Sequence, residues 1–350
     1  MTGVEINGQD APRVGVIGAG AWGTALAQAL CLAAEQGANA DRAGEVLLWA
    51  REPELAAQIN SEHRNDIYLP SAALSPRIRV TSEMAQLAQV PVLLVVVPAQ
   101  FLGSVLASLP AGERDLVLCA KGIEAGSGRL MAEVAASAAP GARLAVLSGP
   151  TFAHEVVAGL PTAVTLACSG GRAQWDRLAP LIASHSLRPY YSDDVIGAEI
   201  GGAVKNVLAI ACGVAEGLAL GQNARAALIA RGYAEMLRFG LSRGARAETL
   251  SGLCGLGDLV LTCSSTSSRN FSLGLALGQG LSAAEALAGK STVAEGAATA
   301  PVLDEIARRD GVDMPIVSAV ANILAGRIPA AKAVEAILSR PLKAEQESAL

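Results

Sequence analysis

Six residues near the start of the chain, Gly18-Ala19-Gly20-Ala21-Trp22-Gly23, constrain its fold more than any other stretch. An apolar run, Val14 to Ile17, leads into them, and Thr24 to Leu30, which reads as helix, leads out. Strand, glycine-rich turn and helix is the context in which G-x-G-x-x-G marks a dinucleotide fold. Each glycine has its own task. Gly18 lets the chain turn sharply off the strand, and Gly20, lacking a Cβ, lets a pyrophosphate approach the backbone. Gly23 lets the helix pack close to the strand, with the free N–H groups of the helix N-terminus facing the phosphates. The plainer reading is a glycine-rich turn that binds nothing; the flanking strand and helix weigh against it.

Downstream of the loop the chain keeps alternating between strand and helix patterns. Apolar strands are expected at Glu45–Trp49, Arg77–Val80, Val92–Val97, Leu116–Cys119, Leu144–Leu147, Thr162–Ala167 and Leu187–Tyr191, with helices at Pro53–Asn60, Ser82–Gln89 and Arg129–Ala138. Such alternation implies a parallel-rich sheet covered on both faces, an α/β Rossmann-like domain. After about Asp194 the texture changes. Residues 196–220, 224–242, 294–310, 315–325 and 330–339 carry helical spacing, and no further β-branched run appears, which predicts an all-α second domain. The expected division is a dinucleotide-binding domain over 1–194, with 1–12 a polar leader, an all-helical substrate domain over 195–340, and a tail over 341–350. Residues 33–44 read as a helix end followed by an inserted loop. With 51% hydrophobic residues but only 3% aromatic, the two cores must be built from Ala, Val and Leu.

Several function classes are disfavoured. The net charge of −5 argues against nucleic acid or an anionic membrane as partner. The most apolar windows, Val90–Val97 and Val207–Leu220, are short or interrupted by Pro91, Gly213 and Glu216, so no membrane span is expected. The leader lacks the pattern of a secretion signal, and a cytoplasmic location is expected. Six cysteines without a C-x-x-C pair read as buried free thiols, and three scattered histidines offer no metal site.

Candidate chemistry sits at strand ends and in the helical half. Arg51 follows the second strand, where an acidic side chain reads an NAD ribose and a basic one accommodates the NADP 2′-phosphate. Arg51 therefore favours NADP, Glu52 beside it leaves room for NAD, and an ordinary surface arginine is the third reading. Pro98 to Phe101 is expected to touch the cofactor. Lys121 lies just past a strand end, either at the cofactor edge or in a solvated loop. Ser148 to Ala153, with the Thr151 hydroxyl, is a small-residue turn suited to an oxygenated substrate, or only a turn.

Gly201-Gly202 precede Lys205 inside an apolar helix, where each glycine costs about 1 kcal/mol relative to alanine. Close approach of another backbone or a ligand would justify them. That would leave Lys205 in a cleft with a lowered pKa, able to move protons; the alternative is tight packing with Lys205 reaching out to water. Ser268-Arg269-Asn270 suits phosphate, because a guanidinium supplies forked charge-assisted donors, or it is a helix start capped by Ser268. Glu295 either has a role in the site or simply favours a helix N-terminus.

In combination these stretches are recognisable. The motifs GAGAWGTALA, LVVVPAQ, AKGIE, SGPTFAHE, GGAVKN, NARAALIARG, GLGDLVLTC, SRN and AEG occur in order from about Arg13 to Leu338. The chain resembles the bacterial NAD(P)-dependent glycerol-3-phosphate dehydrogenases. The resemblance implies NAD(P)H-dependent reversible reduction of dihydroxyacetone phosphate to sn-glycerol 3-phosphate, which supplies the backbone for phospholipid synthesis. It implies Lys205 as the proton acceptor and donor, and Lys121 as a lysine that touches both cofactor and substrate. Gly149, Thr151, Asp258, Ser268, Arg269 and Asn270 match substrate-binding positions. Ala21, Trp22, Arg51, Ala153, Arg269, Val293 and Glu295 match cofactor-binding positions, beside Gly18, Gly20 and Gly23. Ala21 stands where relatives often carry Ser, which leaves only backbone contacts there. The family also suggests a homodimer. Two rivals remain at this point: another two-domain dehydrogenase of the β-hydroxyacid or 6-phosphogluconate type, and a nucleotide sensor without catalysis. The Ser268-Arg269-Asn270 triplet and the paired lysines weigh against them.

Overall fold

The computed structural model describes residues 12–36, 45–70, 72–288 and 294–341. The expected leader, most of the insertion at 33–44, nearly all of the tail and the candidate Val293 lie outside the described residues. Among the described residues eight strands form one sheet: β1 (Val14–Ile17), β2 (Val46–Trp49), β3 (Ile78–Thr81), β4 (Val92–Val95), β5 (Asp115–Leu118), β6 (Arg143–Ser148), β7 (Thr162–Cys168) and β8 (Leu187–Ser192). Their order is β3-β2-β1-β4-β5-β6-β7-β8. Neighbours from β3 to β6 are parallel, β6 and β7 are antiparallel, and β7 and β8 are again parallel. β1 pairs on one side with β2 (Val14 opposite Val46) and on the other with β4 (Val14 opposite Val92). The winding of the sheet reverses between β1 and β4, and the crevice beyond their carboxyl ends is where such sheets bind ligands.

The central strands β1, β2 and β4 are apolar throughout because both faces are covered, whereas β8 is half exposed. Val16, Leu48, Leu94 and Val117 face one core, and Ile17, Leu47, Leu93 and Leu116 the other. Among the described residues six α-helices flank the sheet: α1 (Ala21–Gln36), α2 (Pro53–Glu62), α3 (Leu102–Ala107), α4 (Met131–Ala138), α5 (Ala153–Val157) and α6 (Gly171–Ile182).

The helical half begins two residues after β8. It comprises α7 (Val195–Gly217), α8 (Gly221–Ser242), α9 (Ala247–Ser251), α10 (Asp258–Cys263), α11 (Arg269–Gly278), α12 (Ala283–Leu287), α13 (Glu295–Arg309), α14 (Pro315–Leu324) and α15 (Ala330–Leu338). Asp194 starts α7 by accepting from the Gly197 N–H at 2.8 Å through one oxygen and from the Arg246 N–H at 2.8 Å through the other.

α7 is the spine of this half. It packs on α8, α10, α11, α13 and α14 and reaches β6 and β7. As the helical spacing over 196–220 predicts, α7 runs unbroken through Gly213 and Glu216, and those residues do not keep it from being long and apolar enough, by length and composition, to cross a membrane. Of its most apolar stretch, 83% is buried inside the molecule, which makes it a core helix. Gly213 and Gly217 serve its packing. A Cβ on either would stand 2.0 Å from the Phe271 carbonyl oxygen or 2.4 Å from that of Leu275, both on α11. Gly274 and Gly278 of α11 return the arrangement toward α7, so the two backbones approach directly.

Candidate active site

A cavity of about 800 Å³ opens at the β1–β4 crevice and runs to the face of the helical half. Its first wall is the glycine loop. Gly18 has φ +112°, a conformation that favours glycine, and a Cβ there would meet the Val96 carbonyl oxygen at 2.8 Å. On Gly23 a Cβ would fall 1.8 Å from the Gly18 carbonyl oxygen, so the first turn of α1 can fold back on the strand only with glycine. Beside Gly20 a Cβ would meet nothing within 4 Å; this is the open place at which a ligand can approach the backbone. Ala21, Trp22 and Gly23 line the cavity with the first N–H groups of α1, which have no acceptor within the helix. Pro98, Phe101, Tyr68 and Leu69 add an apolar wall, and Arg51 and Glu52 stand at the far rim.

The opposite end is charged. Lys121, delivered by the loop after β5, donates to Asp258 Oδ2 at 2.7 Å and to the Gly149 carbonyl at 3.2 Å. Lys205, on α7, donates to Asp258 Oδ1 at 2.5 Å and to Thr262 Oγ1 at 2.9 Å. Thr262, one turn beyond Asp258 on α10, donates to the same Oδ1 at 3.2 Å. Asp258 is fully buried, and its one carboxylate pairs with two nearly buried ammonium groups, so it offsets only one of their two charges. The lysines respond differently. Burial lowers Lys205 to about 8, because it outweighs Asp258 and Lys121 repels a second charge. Burial opposes the charge on Lys121 too, but there Asp258 and the hydrogen bonds prevail and hold it above the ordinary lysine value.

Two local devices place these groups. One turn of π-helix, Leu253–Gly257, precedes Asp258. Its Cys254 carbonyl oxygen would lie 2.4 Å from a Cβ on Gly201, while a Cβ on Gly202 would press the Lys121 stem at 3.2 Å. The glycine pair before Lys205 is therefore explained by close approach of a backbone at one position and of the second lysine at the other. The other device is a relay of amides. The Gly296 N–H donates to Asn270 Oδ1 (3.0 Å), Asn270 Nδ2 to Asn206 Oδ1 (3.0 Å), and Asn206 Nδ2 to the Lys121 carbonyl (3.3 Å). It ties α13, α11 and α7 to the Lys121 loop.

The structure brings most of the sequence candidates to one cavity. Gly18, Gly20, Ala21, Trp22, Gly23, Arg51, Lys121, Thr151, Ala153, Lys205, Ser268, Arg269, Asn270 and Glu295 all line it. Ser268 caps α11, accepting from the Phe271 N–H at 3.2 Å, and still faces the cavity, so its cap and site readings coexist. Glu295 opens α13, and its Oε1 accepts from the Ala99 N–H at 3.2 Å; burial raises its carboxyl above the ordinary value. Two candidates sit elsewhere. Asp258 lies behind the lysines, not on the wall, and Gly149 contributes through the carbonyl that Lys121 engages. Asn206 and Thr262 also line the cavity and bond to the site groups, and the sequence reading misses them. The signals for them are a polar residue directly after Lys205 in an apolar helix, and a hydroxyl four residues beyond Asp258.

A dinucleotide loop at a sheet switch point, faced by one buried lysine from the sheet domain and one from the helical half, defines a two-part dehydrogenase of the NAD(P) type. Likeness to known proteins narrows this. Residues 13–173 match the family described as NAD-dependent glycerol-3-phosphate dehydrogenase N-terminus, and residues 194–335 its C-terminus. Glycerol-3-phosphate dehydrogenase (NAD(P)+) of Erythrobacter litoralis is 65% identical over 336 residues, covering 96% of this chain and 98% of the relative. That of Caulobacter vibrioides is 55% identical over 340 residues, covering 95% and 98%. The crystal structure of glycerol-3-phosphate dehydrogenase from Coxiella burnetii is similar with a TM-score of 0.86 at 38% identity, covering 95% of this chain and all of that one. The chain belongs to the NAD-dependent glycerol-3-phosphate dehydrogenase family.

Proposed function

We propose that the protein catalyses reversible NAD(P)H-dependent reduction of dihydroxyacetone phosphate to sn-glycerol 3-phosphate, and so supplies glycerol phosphate for phospholipid synthesis. The observation that carries this reading is the Lys205–Asp258–Lys121 cluster at the end of a cavity whose other end is a glycine loop built for a pyrophosphate. The loop residues Gly18 to Gly23, with Trp22, Arg51, Ala153 and Glu295, would hold the cofactor, and Val293 is included with them on the resemblance alone. When bound, that cofactor supplies the hydride that the carbonyl carbon accepts.

The chain's own residues do the rest. Lys121, held cationic, polarises the carbonyl oxygen or steadies the phosphate. Lys205, with a value of about 8, gives its proton to the developing alkoxide in reduction and takes one back in oxidation. Asp258 keeps both ammonium groups charged and aimed, acting through the lysines. Arg269, Ser268 and Asn270 at the mouth of α11, with Thr151 and Gly149, would receive the phosphate and hydroxyls of the substrate.

Arg51 supports NADPH as the favoured donor. The division near Asp194, a homodimer and a cytoplasmic location belong to the same proposal; light scattering on the purified protein tests the dimer. The central test is NADPH absorbance on adding dihydroxyacetone phosphate. Oxidation is expected; its absence with both NADPH and NADH would reject the reading, and a Lys205→Ala enzyme of undiminished rate would reject the catalytic assignment.

A further inference from the structure

Beyond the β2 end two side chains of opposite charge share the rim of the cavity. Arg51 Nε donates to Glu52 Oε1 at 2.8 Å and Arg51 Nη2 donates to the same oxygen at 2.5 Å, so both guanidinium contacts fall on one carboxylate oxygen. Oε2 of Glu52 is left for another donor. Glu52 occupies the N-cap of α2, yet its side chain makes no cap hydrogen bond. Its carboxylate is committed to Arg51 and the cavity, not to the helix. Both residues are solvent-accessible, and the next charged groups on the cavity wall belong to its other regions.

We propose that Glu52 is a specificity-determining residue that sets how the enzyme divides its use between NAD and NADP; this rests on the dinucleotide reading of the cavity. The physical argument is competition for one guanidinium. A 2′-phosphate must draw Arg51 away from Glu52 and then lie beside an uncompensated carboxylate. An unsubstituted ribose leaves the pair intact and donates its hydroxyl to the free oxygen. Arg51 alone would make an NADP reader and Glu52 alone an NAD reader; tied together, each weakens the other's discrimination.

The test is calorimetric titration of the purified wild-type and Glu52→Gln proteins with ADP-ribose and with 2′-phospho-ADP-ribose, which isolates the adenosine end from the chemistry. Glutamine keeps the shape of the side chain, and no helix cap is lost. Removing one charged hydrogen bond and one repulsion should tighten the 2′-phosphorylated ligand by about tenfold and weaken the other severalfold. Steady-state KM for NADPH and NADH should move the same two ways, with kcat little changed. If both ligands bind wild type and their affinity ratio is the same in Glu52→Gln, the inference is overturned while the cavity reading stands. If neither ligand binds wild type, the cavity reading itself fails, and this inference with it.

Discussion

Burial depresses Lys205, and Asp258, a single carboxylate shared between two ammonium groups, offsets that only in part. With a value of about 8, Lys205 is charged at neutral pH and can still lose its proton within the working range. This sets the sign of the pH dependence. If Lys205 is the proton donor as proposed, reduction needs the protonated amine, and kcat for dihydroxyacetone phosphate should fall as pH rises through about 8. Oxidation of glycerol 3-phosphate needs the neutral amine and should rise through the same region. Initial rates in both directions across that range check this; limbs of the same sign would reject Lys205 as the shared acid and base. Lys205→Ala should cost roughly 100- to 10,000-fold in kcat, the span expected for a positioned proton donor. Asp258→Asn tests the carboxylate apart from the lysines. Two buried ammonium groups would face a neutral amide, both would lose protons more easily, and the alkaline fall of the reduction rate should move to lower pH. Unfolding should become easier by about 3–5 kcal/mol, as when one partner of a buried pair is removed. A stable Asp258→Asn enzyme with an unmoved pH profile would contradict this account of the cluster.

At the scale of elements, the site is held by backbones that glycine allows to touch. Gly201→Ala would put a methyl group 2.4 Å from the Cys254 carbonyl oxygen, in the π turn that delivers Asp258. Backbone cannot yield as a flexible side chain can, so α7 and the turn must separate. Such overpacking costs typically about 1–3 kcal/mol, and here it would also lengthen the Lys205–Asp258 contact. The expected result is a lower melting temperature together with a lower kcat; unchanged kcat in a folded variant would show that the turn does not position Asp258. These elements also mark how far the sequence is readable. The central strands β1, β2, β4 and β5 announce themselves as apolar runs, because burial on both faces demands them; β8, with Arg188 and two exposed tyrosines, does so less plainly. α6 and α11 do not. α6 contains Pro180, which locally argues against a helix, and α11 carries Gly274 and Gly278, whose purpose appears only with α7 against them. Candidates grouped within one motif, such as Ser268-Arg269-Asn270, are legible because neighbours in sequence share a surface. The Lys121–Asp258 pair spans 137 positions and the Asn270–Asn206 contact 64, and no local pattern encodes such meetings.

For the whole molecule, the joint between sheet and helical half carries a buried carboxyl whose charge state matters to stability. Glu199 projects from α7 to the N-terminus of α4, where its Oε1 accepts from the Ala132 N–H at 2.7 Å. Its other oxygen is buried without a partner. Burial pushes this carboxyl up to about 8; the Ala132 N–H favours the charge but is outweighed, and Glu133 nearby adds repulsion. The folded protein therefore keeps a proton that the unfolded chain, titrating near 4.5, has released. Between those values the native state binds more protons than the unfolded state, so stability falls as pH rises and levels off above about 8. Glu199→Gln removes this contribution, because an amide is neutral at every pH and its oxygen can still accept from Ala132. Within the window the stability of Glu199→Gln relative to wild type should rise with pH, by at most about 1.4 kcal/mol per unit. Thermal unfolding of both proteins from pH 6 to 9 measures the difference directly, since every other titrating group is common to the two. Parallel pH dependences would mean that Glu199 is ionised in the native joint and that a partner compensates its second oxygen.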